Sequence, residues 1–173
     1  MMDETEFWEM VDTARESAGG DPDEQADLLV ERLEGADPDA VLDFARHFEA
    51  RMNRAYQWDL WAAAVVLVDA VDEESFDAFR CWLIGQGREL YEGAVHEADA
   101  LADLLDDFDP ELDGDGEELG YAADEAYEQL TGVPAPGLGI GSAPPEPAGR
   151  PLDPRDSAQA AERCPRLWER FGP

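Results

Sequence analysis

Leu60-Trp61-Ala62-Ala63-Ala64-Val65-Val66-Leu67-Val68 is apolar at every position, and the reading of this run decides the fold. Such a run is either a buried strand or a buried helix, and periodicity alone does not separate the two. Helix is the expectation, because Trp61-Ala62-Ala63-Ala64 is strongly helix-forming and the neighbouring segments are helical. Upstream, Asp37-Pro38 opens a helix whose Val41, Phe44, Ala45, Phe48, Met52, Ala55 and Tyr56 recur at helical spacing. Asp21-Pro22 with Glu24 opens another, with Ala26, Leu29, Val30 and Leu33 on one face and Gly35 at its end. Asp3 with Glu6 makes a capping-box start for a first helix through Phe7, Met10, Val11, Ala14 and Ala18, which Gly19-Gly20 stops.

Downstream of the run, Asp72 to Gln86 predicts an amphipathic helix with Phe76, Phe79, Trp82 and Leu83 inward, broken around Gly85 and Gly87 and continued by Leu90, Tyr91, Ala94 and Val95. Leu101, Leu104, Leu105 and Phe108 mark a short helix, and Leu119 to Leu130 a longer one that Gly132 and Pro134 terminate. No segment alternates with period two. The expectation is an all-α fold, a single helical domain of about eight helices over residues 1–131. Residues 132–155 hold five glycines and seven prolines without apolar periodicity and read as a linker. In 156–173, Asp156 with Gln159 caps a short helix, and Pro165 starts a last turn carrying Leu167, Trp168 and Phe171. Three large apolar side chains there predict a tail that docks back on the helical body, with the Pro-rich stretch lying over the surface.

Composition narrows the function classes. The 173 residues are 44% apolar and 32% charged, enough for a packed core. Forty-three acidic side chains stand against twelve arginines and no lysine, a net charge of −31. The acidity is uneven: residues 1–50 carry −13, 51–100 carry −6, 101–130 carry −12, and 131–173 carry zero. A surface this negative repels nucleic-acid phosphates and anionic lipid, and it steers a basic protein inward. The same charge also serves plain solubility. No apolar run is long enough to span a membrane, and the acidic Met1 to Glu9 is unlike a signal peptide, so a cytoplasmic location is expected.

Most chemical motifs fail on inspection. Asp109 to Glu117 offers oxygen donors at alternate positions, as calcium loops do, yet the twelfth position is Gly120 and Pro110 stiffens the entry, so an acidic turn is the simpler reading. Gly137-Leu-Gly139-Ile-Gly141 lacks the strand and helix of a phosphate cradle. His47 and His96 stand far from Cys81 and Cys164, which removes any zinc spacing. The residues name no catalytic group, no metal site and no cofactor.

One constellation stands out. Residues 56–88 hold Tyr56, Trp58, Asp59, Trp61, Asp77, Phe79, Arg80, Trp82 and Arg88. A carboxylate among large aromatics needs a partner, and Arg80 or Arg88 could supply one, so the bland reading is an ion pair tying two helices together. The functional reading is a groove in which Tyr56, Trp58, Asp59, Arg80 and Arg88 bind an anionic or planar ligand or a partner's side chain.

The strings Glu6-Phe7-Trp8, Tyr56-Gln-Trp-Asp-Leu-Trp61, Phe79-Arg-Cys-Trp-Leu-Ile84, Gly87-Arg88 and Gly120-Tyr-Ala-Ala-Asp-Glu-Ala-Tyr127 resemble the bacterial family called domain of unknown function 4240, over roughly residues 3–130. Cys164-Pro-Arg-Leu167 resembles that family's usual tail. Asp69 to Glu74 stands where the family often has a Gly-Gly-Cys-Ser-Asp-Asp-like turn. The resemblance implies a small bacterial cytoplasmic protein and no assigned reaction.

Three function classes follow. The favoured one is a protein-binding or regulatory module for a basic partner, with enzymatic activity left open but disfavoured. A small-ligand binder or enzyme built on the 56–88 constellation is the second. The third is a nucleic-acid mimic whose carboxylates imitate phosphate. Oligomeric state is left open.

Overall fold

The computed structural model describes residues 1–139 and 143–173, and Ile140 and Gly141 of the glycine run lie outside them. Among the described residues there are ten α-helices and one 3₁₀ turn, eight of the helices within residues 1–131 and two in the tail, with no strand. α1 spans Glu4–Ala18, α2 Pro22–Glu34 and α3 Pro38–Arg54. Each starts where an aspartate side chain accepts from backbone amides: Asp3 from Glu6, Asp21 from Asp23 and Glu24, Asp37 from Ala40. Gly19 ends α1 in the left-handed region at φ 63°, a conformation open to glycine at little cost.

α4 is Trp58–Val68, so the apolar run is a helix, and Leu60 through Leu67 are all buried. α5 spans Glu73–Gly85, capped by Asp72, and α6 Arg88–His96. The turn Ala98–Ala100 leads into α7, Leu101–Leu104. That helix stops earlier than the spacing predicts. Leu105 turns extended, and the acidic Asp106-Asp107 and Asp109-Pro110 that follow favour irregular backbone. Leu105 is still buried, and Phe108 packs edge-on against Trp82 with centroids 5.4 Å apart, so the apolar spacing reports packing of a loop. In the acidic turn, Asp109, Asp113 and Asp115 accept hydrogen bonds from backbone amides of their own segment.

α8 spans Glu117–Thr131 and packs most extensively against α2, which also lies on α1. α3 crosses both α8 and α5. The junction of α8 with α5 needs a glycine at Gly116, whose amide donates to Ala78 O at 2.9 Å; a Cβ there would sit 2.4 Å from the Trp82 backbone nitrogen. Gln25 is the buried polar hub of the body, its amide reaching Gly85 O at 2.8 Å and Val11 O at 3.4 Å.

Beyond α8 the chain returns over this body. Arg46 Nε donates to Leu138 O at 2.8 Å, and Ala148 exchanges hydrogen bonds with Tyr56 and Trp58 at 2.9 Å each. α9 (Ser157–Arg163, capped by Asp156) and α10 (Pro165–Phe171) then pack on α4. Ala160, Cys164 and Leu167 are fully buried there, while Trp168 and Phe171 are half-buried.

Candidate functional site

Trp58 and Trp61 lie three residues apart on α4, and Phe76 and Arg80 four apart on α5, spacings that put each pair on one helix face. The two faces meet. Trp58 stacks on Trp61 at 5.3 Å, Trp61 on Phe76 at 4.7 Å, and Phe76 on Tyr56 at 6.0 Å, with interplanar angles of 13°, 17° and 26°. The Arg80 guanidinium lies over Tyr56 and Phe76, 4.6 and 4.8 Å from their centroids. It donates to Met52 O at 2.8 Å and pairs with Asp77 one turn before it.

Arg80 is only 6% exposed, so it is part of the packing between α3, α4 and α5. In that setting a guanidinium gains from ring faces and from a carbonyl acceptor together, which offsets its lost hydration. Tyr56 closes the stack. Its hydroxyl donates to Glu73 at 2.6 Å, and burial, with this bond and the Glu73 charge, pushes its pKa up to about 12.

The other expected residues are dispersed. Asp59 is exposed and faces the tail, where it pairs with Arg163 at 3.4 Å. Arg88, at the start of α6, pairs with Glu4 of α1 at 3.5 Å. Of the five residues singled out by the sequence, Tyr56, Trp58 and Arg80 belong to one stack, and Asp59 and Arg88 serve two other junctions. Phe76, Met52 and Glu73 complete the stack. The spacing of Phe76 and Arg80 could have revealed the first; the acceptor Met52 has no local signal. A second arginine repeats the pattern: Arg51 lies 5.0 Å from the Phe7 ring and 5.4 Å from the Trp8 ring, and pairs with Glu4 at 3.2 Å.

Beside Arg80 is a cavity of about 280 Å³ bordered by Glu49, Met52, Asn53, Glu73 and Asp77. A neighbouring one of about 210 Å³ is bordered by Glu49, Glu74, Asp77 and Glu117 over Phe48, Met52 and Cys81. Carboxylates outnumber cations around both, and the terminal nitrogens of Arg80 are engaged by Met52 and Asp77 while its Nε is buried without an acceptor, so the charge of these clefts favours positive groups. Burial pushes the Cys81 thiol up to about 12, which disfavours the nucleophilic thiolate, and Cys164 is raised to the same value for the same reason. Among the described residues no three His, Cys, Asp or Glu side chains are grouped to hold a metal ion, and no helix is long and apolar enough to cross a membrane.

The tail has its own polar geometry. Arg166 reaches Glu97, Asp99 and Asp103, while the Asp99 carboxylate accepts from the amides of Arg166 and Leu167 at 3.2 and 2.9 Å. Arg170 donates to the carbonyls of Ala102, Leu105 and Asp106 at the end of α7. Arg163 joins Asp59 to the carbonyls of Arg150 and Pro151.

No curated protein and no solved structure matches the chain. A family model, described as protein of unknown function (DUF4240), matches residues 2–129, from the residue before the α1 cap to the last turn of α8. On that match, which covers most of its length, the chain belongs to the DUF4240 family.

Proposed function

We propose that this chain is a soluble cytoplasmic protein-binding module that recognises a positively charged protein partner. The observation that carries this reading is the seating of α10. There a short helix bearing Arg166 and Arg170 buries Leu167 completely and sets its cations against carboxylates and helix-end carbonyls. The acidic body thus already holds one basic amphipathic element, its own. Elsewhere Arg46, Arg51, Arg54, Arg80 and Arg88 are engaged internally, and the ion pairs use only a small part of the 43 acidic side chains. The remaining carboxylates form a field that accelerates encounter with a basic protein and disfavours an anionic one.

The small-ligand alternative centred on Arg80 has less support, because both terminal guanidinium nitrogens are engaged, by Met52 and Asp77, and the unpartnered Nε is buried away from the surface. Affinity capture on the immobilised chain at low and high salt tests the reading. Stoichiometric retention of one basic protein, weakening as salt rises, supports it. Retention of nothing, or of a neutral protein insensitive to salt, contradicts it. A retained DNA-binding protein that nucleic acid displaces would favour mimicry.

A further inference from the structure

Away from α4, an open groove of about 650 Å³ runs between α1, α2 and the start of α3. Its floor is apolar and rich in adaptable side chains: Met2, Met10 and Leu28, with Ala14, Ala36 and Ala40 leaving room between them. Methionine lacks a branched, fixed shape, so a floor of this kind accepts aliphatic side chains without demanding one fit. Glu6 and Glu31 stand on its walls beside Thr13 and Ser17, with Arg32 the one cation among the lining residues. The two wall helices and their caps, residues 3–34, carry twelve acidic side chains and two arginines.

We propose that this groove docks an amphipathic, positively charged helix of a partner protein. Its apolar face would lie on the methionine floor and its Lys or Arg side chains against Glu6, Glu31 and the surrounding acidic helix surfaces. The proposal rests on the reading above that the partner is basic, and it adds the site and the shape of what binds. Three observations select this occupant. An apolar trough between two helices takes the i, i+3, i+4 side chains of a third helix. The charge of the walls is complementary to a cationic helix, whereas a second copy of this chain would bring another −31 against it. The α10 contact, with buried Leu167 between Arg166 held by carboxylates and Arg170 held by helix-end carbonyls, has related chemistry on another face of the molecule.

The probe is a synthetic helix-forming Leu/Lys peptide with segregated faces, compared with a scrambled peptide of equal composition and titrated into the full chain. The segregated peptide should bind at least about tenfold more tightly than the scramble, because only it presents a continuous apolar face. Thr13→Lys with Ser17→Lys puts two cations on the groove wall at exposed helix positions and should weaken binding by about tenfold or more. Gln129→Lys with Leu130→Lys adds the same charge on exposed α8 positions and should weaken it by less than about threefold. Melting temperatures of both double variants establish that they are folded. Equal weakening by the two pairs, or equal affinity for the two peptides, overturns the groove while leaving a basic partner in place. Failure of the wild-type chain to bind either peptide overturns both.

Discussion

α4 is covered on two sides by surfaces of opposite chemistry. Toward α5 it presents Trp61, itself stacked on Trp58, to Phe76, with Arg80 laid over the Phe76 and Tyr56 rings, and the contact depends on aromatic area excluded from water. Toward the tail it meets Ala160, Cys164 and Leu167, and around these the contact is fastened by Arg163, Arg166 and Arg170 to carboxylates and carbonyls. Both sides use arginine, yet differently. Arg80 is buried within the body, whereas Arg166 remains 45% exposed at its side chain. One arginine is a packing element, the other an attachment that water and salt can reach.

The largest expected effect breaks the aromatic side. Phe76→Ala removes the ring that links Trp61 to Tyr56 and should cost about 3–5 kcal/mol, read as a lower urea midpoint of a single transition. A loss below about 1 kcal/mol would mean that the stack does not hold α5 to α4. On the tail side, Leu167→Ala should cost about 2–5 kcal/mol of docking energy. Its signature is different: protease cleavage within residues 132–155 should accelerate at temperatures where the helical signal is intact.

Arg80→Met keeps the stem over the rings and deletes the donors to Met52 and Asp77, for an expected loss of about 1.5–3 kcal/mol in urea melts. Unchanged stability together with lost partner binding would move Arg80 from packing to recognition. The smallest effect belongs to Arg166→Gln. Its pairs with Glu97, Asp99 and Asp103 are exposed to solvent and screened, so only a slight loss is expected, measured as faster hydrogen exchange confined to α9 and α10 with no change in the urea midpoint.

This difference explains which parts of the molecule were legible in the sequence. Caps and apolar spacing follow local rules, and Asp3, Asp21, Asp37, Asp72 and Asp156 all accept amide hydrogen bonds at helix starts. The run 60–68 announced its burial, and Ala62 to Ala64 announced its helical form. Leu105 and Phe108 misled, because contact with Trp82 imposes apolar spacing on irregular chain as readily as on a helix. Within the candidate site, Tyr56, Trp58 and Arg80 could be grouped by their closeness in sequence. The partners of Asp59 and Arg88 could not: Arg163 is 104 residues away from Asp59 and Glu4 comes from the first helix, and no local pattern encodes such pairings.

The two cysteines allow the comparison to be measured directly, since Cys81 lies in α5 and Cys164 between α9 and α10. Burial holds both thiols at about 12, above their ordinary 9.0. Their contribution to stability is therefore complete below pH about 9 and is lost as pH rises toward 12, so labelling near neutral pH reports opening of the fold and not ionisation. Salt should act on the two sites with opposite sign. Screening relieves the repulsion of a chain at −31 and slows the global opening that exposes Cys81, while it weakens the arginine attachments of the tail and hastens exposure of Cys164. The measurement is thiol-trapping of each cysteine against ionic strength. The account predicts a Cys164 rate that rises and a Cys81 rate that falls; equal rates with the same salt dependence would contradict it, by making the tail and the aromatic body one cooperative unit.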